Sequence, residues 1–187
     1  MDQYEVTFAG FGGQGIMTAG QLLAYAGIRE DKYVAWIPSY GPEMRGGTAY
    51  CTVVVSDIRI GSPIINYPQC VCVFNRPSFD KFTARVKPDG LVIVNSSLID
   101  VTTDRTDVRE ILVPANDMAM EIGNVKTANM AILGAFIGAT KIVSFETVTE
   151  TIKEKLGKKK SALPVNLKIL EAGYQLALKS SKQKDKA

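Results

Sequence analysis

One stretch near the start constrains the chain most: Tyr4-Glu5-Val6-Thr7-Phe8-Ala9, followed by Gly10-Phe11-Gly12-Gly13-Gln14-Gly15 and then Ile16. An alternating, β-favouring run ends in a glycine cluster and turns helical, which is a strand–loop–helix pattern. Gly10, Gly12 and Gly15 fit the spacing G-x-G-x-x-G. Glycines so spaced let the backbone turn tightly, approach a ligand and pack the helix on the sheet. Free N–H groups and the dipole at the helix start favour an anion such as a pyrophosphate. The pattern also serves a fold that binds nothing there, by permitting close strand–helix packing alone.

A dinucleotide site needs an acid at the end of the second strand, about 20 residues after the glycines, to hold ribose hydroxyls. Here that strand ends Ala35-Trp36-Ile37-Pro38, with Glu30 and Asp31 before it. No arginine stands at that strand end for a 2′-phosphate, so the NAD(P) reading is disfavoured.

The absence of histidine removes Ser-His-Asp and Cys-His catalysis and any histidine-ligated metal from this chain. The three cysteines, Cys51, Cys70 and Cys72, are odd in number and sit in apolar runs, so they read as buried thiols. They lack the spacing and number for a cluster or zinc site, and no catalytic or metal-ligating residue is assigned. A net charge of +3, with basic residues gathered toward the end, reads as a solvated face; a docking patch for an acidic partner is the alternative. Nucleic acid is not an expected partner, nor is a membrane, since no apolar run is long enough to span one. With no leader pattern at the start, the expected location is cytoplasmic.

In order, strands are expected at 4–9, 33–37, 48–56, 69–74, 91–95 and 108–113. Pro38 should stop the second, which reads as buried on both faces; a turn and a short returning edge strand are expected at 57–63. Helices are expected at 13–27 with Gly27 as cap, 75–86, through 122 after Pro114, 127–139, 144–156 and 164–179. Residues 127–139 are apolar nearly all round, with Gly134 and Gly138 spaced for close approach to a neighbour. This alternation predicts a single α/β, Rossmann-like domain over 1–180, a mainly parallel sheet flanked by helices, with a C-terminal helical segment and a disordered tail at 181–187.

Between the second and third strands, Ser39-Tyr40-Gly41-Pro42-Glu43-Met44-Arg45-Gly46-Gly47 combines loop formers with a hydroxyl, a phenol, a carboxylate and a guanidinium. In a parallel sheet this loop lies at the same edge as the first glycine loop, and the two should face each other. Arg45 is a candidate to hold an acidic group of a ligand or partner; an internal pair with Glu43 is the alternative.

These two loops, together with Asn129-Met130-Ala131-Ile132-Leu133-Gly134-Ala135, resemble the gamma subunit of 2-oxoacid:ferredoxin oxidoreductases over roughly residues 4–178. The second loop is the specific motif. The resemblance implies a subunit of an enzyme that oxidatively decarboxylates a 2-oxoacid, forms an acyl-CoA and passes electrons to ferredoxin. Thiamine diphosphate and iron–sulfur clusters would then sit in companion alpha and beta subunits, with delta a further candidate, and none would be held by this chain alone. The isolated chain would be inactive. The motif wording favours 2-oxoglutarate or a branched-chain 2-oxoacid over pyruvate, with 2-oxoglutarate first. Ligand-binding or interface roles would fall on Gly12, Gly13, Gln14, Gly15, Ser39, Tyr40, Gly41, Pro42, Glu43, Arg45, Gly46, Gly47 and Asn129. Backbone N–H groups of residues 12–15 would meet a phosphate of coenzyme A. A free-standing nucleotide-binding regulatory α/β module is the alternative function.

Overall fold

The computed structural model describes residues 3–40, 48–157 and 162–184. Strands β1 (Gln3–Phe11), β2 (Tyr33–Tyr40), β3 (Thr48–Ser56), β4 (Cys70–Val73), β5 (Leu91–Asn95) and β6 (Arg109–Val113) form one sheet in the order β2-β3-β1-β4-β5-β6. β1, β4, β5 and β6 pair in parallel, whereas β3 runs antiparallel to both of its neighbours, β1 and β2. The helices are α1 (Ile16–Arg29), α2 (Arg76–Phe82), α3 (Ala115–Glu121), α4 (Ala128–Thr140), α5 (Phe145–Leu156) and α6 (Leu163–Lys184). The expected α/β class and mainly parallel sheet are found.

The sheet's two faces carry unequal loads. Tyr4, Val6 and Phe8 of β1 join Cys70, Cys72 and Ile93 in one large core that also takes apolar residues of α1, α3, α4, α5 and α6. Val71, Val73, Val92 and Val94 face the other way, onto Phe79, Phe82 and Val86 from α2 and the 3-10 turn after it. β4 and β5 are buried along their whole length, as their unbroken apolar runs require. Helix starts are set locally: Asn75 Oδ1 accepts Ser78 N–H at 2.9 Å to cap α2, and Ser144 Oγ accepts Thr147 N–H at 3.0 Å to cap α5.

At its N-terminal end the β1–β4 ladder is lengthened by a side chain. Glu5 N–H donates to Gln69 Oε1 at 2.9 Å and Gln69 Nε2 donates to Gln3 O at 3.2 Å, so the carboxamide fills the place of a strand peptide. The buried Glu5 carboxylate accepts from Lys87 Nζ and Gln3 Nε2, each at 2.8 Å.

Several expectations are corrected. β2 continues through Pro38 to Tyr40 and is a half-exposed edge strand. Proline is tolerated there because the outer edge of a sheet asks for no N–H donor. Residues 57–69 form no strand beside it. α1 runs to Arg29; Gly27 lies inside it, where a Cβ would come within 2.8 Å of Val34 Cγ2. α6 is followed to Lys184, past the expected end at 179.

α4 and α6 touch backbone to backbone. A Cβ on Gly134 would lie 2.0 Å from Leu170 O, and one on Gly173 would lie 2.0 Å from Ala131 O. Gly134→Ala is therefore expected to cost at least about 2 kcal/mol by overpacking. In a chain of this size that lowers the thermal midpoint by roughly 4–8 °C. Gly61→Ala, in open space, is the control.

Burial pushes the Cys51 thiol up to about 12, and raises the Cys72 thiol and the Tyr4 phenol as well. Unfolded, the thiols give up their protons near pH ~8.5. Folded they do not, so stability is whole below that pH and declines as pH rises toward 12. Urea midpoints are expected to fall from pH 8 to pH 10, and Ellman's reagent is expected to label the three thiols only after unfolding.

Candidate functional site

The glycine loop sits at the C-terminal ends of the parallel strands, where β1 parts from β4. The chain leaves β1 through α1 on one face of the sheet and leaves β4 through α2 on the other. Open α/β sheets bind ligands at such a switch point. A crevice of about 210 Å³ lies there, lined by Gly13, Gln14, Phe74, Asn95, Asn116 and Lys126.

Gly15 and Gly13 owe their identity to backbone geometry. Gly15, at φ 77°, is the N-cap of α1, and Gly13 has φ 95°. A Cβ on Gly15 would also strike Asn129 Nδ2 at 2.6 Å. Asn129 Nδ2 donates to Gly15 O at 3.1 Å, so the buried asparagine of α4 fixes the start of α1 from across the fold. The structure thus joins Gly12, Gly13, Gln14, Gly15 and Asn129 at one place. The N-terminus of α1 has no side-chain cap and no acidic residue in its first turn, which leaves it suited to an anion. Gln14 N–H is not free for that purpose, since it donates to Phe11 O at 3.2 Å.

Ser39 and Tyr40 close β2 at the same end of the sheet, because two successive antiparallel pairings restore the direction of β1. The expected common edge is therefore found, but by a hairpin rather than by parallel pairing. β3 intervenes, which separates β2 from β1 by two strand spacings, about 10 Å. Ser39 lines a different hollow of about 360 Å³ on the α2 face, with Thr7, Tyr50, Thr52, Phe82 and Arg85. Tyr40 is exposed. Gly41, Pro42, Glu43, Arg45, Gly46 and Gly47 lie outside the described residues.

Lys126, Asn95 and Asn116 were not anticipated from sequence. Lys126 lines the crevice and a second hollow of about 270 Å³ beside Gly15, Thr18 and Asn129. Among the described residues no carboxylate pairs with it, so it adds positive charge next to the α1 terminus. Asn95 Nδ2 donates to Asn116 Oδ1 at 2.8 Å, while the buried Asn95 Oδ1 has no partner and offers an acceptor. A signal was present: an asparagine ends β5 at position 95, another stands two residues after β4 at position 75, and a third stands three residues after β6, in the first turn of α3, at position 116.

The groups displaced from their ordinary pKa values lie elsewhere, chiefly in the core and in exposed ion pairs such as Asp107 with Arg105. Among the described residues no cluster of histidine, cysteine or carboxylate could hold a metal ion, and no helix is long and apolar enough to cross a membrane. The crevice's charge and its helix start suit an anionic ligand, and no histidine, cysteine or carboxylate lines it.

Residues 5–176 match the family Pyruvate ferredoxin/flavodoxin oxidoreductase. The chain is 39% identical over 180 residues to ketoisovalerate oxidoreductase subunit VorA of Methanothermobacter marburgensis, which covers 95% of this chain and 37% of that protein. It thus spans little more than a third of that relative's length. It is 34% identical to 2-oxoglutarate synthase subunit KorC of Methanocaldococcus jannaschii, with 92% of this chain and 93% of that protein covered. Among solved structures, a keto/oxoacid ferredoxin oxidoreductase gamma subunit from Geobacter sulfurreducens superposes with a TM-score of 0.81 at 28% identity, covering 94% of this chain and 98% of that one. The 2-oxoglutarate:ferredoxin oxidoreductase of Magnetococcus marinus, solved with 2-oxoglutarate, coenzyme A and succinyl-CoA bound, gives 0.87 at 26% identity, over 95% of this chain and 31% of that one. From the glycine loop to α6, this chain belongs to the pyruvate ferredoxin/flavodoxin oxidoreductase family and is similar throughout to a gamma subunit of a keto/oxoacid ferredoxin oxidoreductase.

Proposed function

We propose that the chain is the gamma component of a 2-oxoacid:ferredoxin oxidoreductase and that its glycine-loop edge shapes the coenzyme A side of the active site. The observation that carries the reading is the end-to-end likeness to stand-alone gamma subunits, combined with a crevice of anion-binding character at the strand ends. Companion subunits, alpha and beta with delta a further candidate, would supply thiamine diphosphate and iron–sulfur clusters and pass electrons to ferredoxin. The cofactor carries the carbon chemistry; a chain without histidine is left to bind and to exclude water. Gly12, Gly13 and Lys126 would face phosphate, a contact at a helix start worth about 0.3–2 kcal/mol, enough to orient a ligand and not to bind it alone. Arg45 and Glu43 would act in the same place or at the subunit boundary. Three free, buried thiols suit the reducing cytoplasm.

For the substrate, 2-oxoglutarate and branched-chain 2-oxoacids stay in competition. The KorC relative supports the first, and the higher identity to VorA supports the second. Since this chain offers no group for the decarboxylation, its companions would make the choice.

Three outcomes are expected. In the assembled enzyme, Arg45→Ala should raise the coenzyme A concentration needed for half-maximal rate about tenfold while subunit stoichiometry is kept, as for loss of a charge-assisted hydrogen bond. If the complex falls apart instead, the loop is an interface. A panel of 2-oxoglutarate, 2-oxoisovalerate and pyruvate should single out one of the first two. The chain expressed alone should be colourless and inactive.

A further inference from the structure

β1 and β4 pair in parallel from Val6 with Cys70 to Ala9 with Val73, and Phe74 N–H donates to Ala9 O at 2.9 Å. In a parallel ladder the next rung would carry Phe11 N–H to Phe74 O. That rung is occupied by a side chain. Phe11 N–H donates to Gln14 Oε1 at 2.6 Å, and Gln14 Nε2 donates to Phe74 O at 3.3 Å. One carboxamide satisfies both backbone groups and stands between the strands.

Two neighbours fit this arrangement. Asn75 Nδ2 donates to the same Gln14 Oε1 at 3.2 Å while its own Oδ1 caps α2, so the starts of α1 and α2, on opposite faces of the sheet, are tied through Gln14. Gly10 leaves the necessary space, because a Cβ there would lie 2.6 Å from Gln14 Oε1 and 2.9 Å from Phe74 Cβ.

We propose that Gln14 is a positioning residue: its carboxamide splays β1 from β4 by one rung and thereby holds Gly12 and Gly13 over an open crevice. Gln14 then serves the site through the loop it shapes, its carboxamide being committed to Phe11, Phe74 and Asn75. Only the coenzyme A part of the test rests on the function proposed above.

The test compares Gln14→Met and Gln14→Glu in the assembled enzyme. Methionine has similar length and cannot bridge; glutamate keeps the acceptor for Phe11 N–H and loses the donation to Phe74 O. With Gln14→Met, amide hydrogen exchange at residues 11–13 should quicken about tenfold, as for loss of one hydrogen bond. The KM for coenzyme A should rise with kcat within about twofold, the pattern of a binding-side defect. Gln14→Glu should fall between Gln14→Met and the parent in both readouts. Unchanged exchange at residues 11–13 in Gln14→Met overturns the proposal. Faster exchange with an unchanged coenzyme A dependence upholds Gln14 as positioner and removes coenzyme A from the loop. Should Gln14→Met not fold, Gln14→Glu carries the same comparison through its lost bond to Phe74.

Discussion

The separation of β1 from β4 at their C-terminal ends governs the rest of this molecule. Below that point the strands share a parallel ladder inside a core closed on both faces. Above it, each strand must deliver its helix to an opposite face, so the backbones diverge and leave polar groups that the interior cannot abandon. Gln14, Asn75, Asn95 and Asn116 fill the gap with amides, which donate and accept at once and carry no charge to desolvate. The crevice is what remains of the divergence after these amides have closed most of it.

That geometry suits a chain without histidine that belongs to a family of oxidoreductases. A rigid sheet edge, a helix start and one exposed lysine can orient a phosphate-bearing ligand. In the function proposed above the contribution is pre-organisation, and the loop is held by distant elements: α4 fixes Gly15 through Asn129, and α4 packs on α6 through its glycine contacts. Packing on the far side of the core is thus coupled to the loop.

Much of this was legible in the sequence, for identifiable reasons. The glycine loop, the buried β4 and β5, and the apolar α4 with its spaced glycines each carry a local pattern that admits few structures. β2 was misread because its apolar run resembles a buried strand and Pro38 resembles a stop; on an edge neither inference holds. Residues 57–63 were read as a turn and a short returning edge strand, yet they pair with neither edge of the sheet, β2 or β6. The crevice itself was hidden because Lys126, Asn95 and Asn116 come from three separate segments and meet only through the topology.

The paired glutamines also bear on how the chain finds its fold. Gln69 and Gln14 close the β1–β4 ladder at its two ends, each gripping backbone atoms that belong to one alignment only. A slip of two residues would keep every apolar side chain on its proper face, so hydrophobic sorting alone cannot reject it. The carboxamides can, because such a slip strands backbone groups at both ends simultaneously. They act as a proofreading clasp on the central pairing of the sheet, assembled from residues that would otherwise pass for ordinary loop polarity.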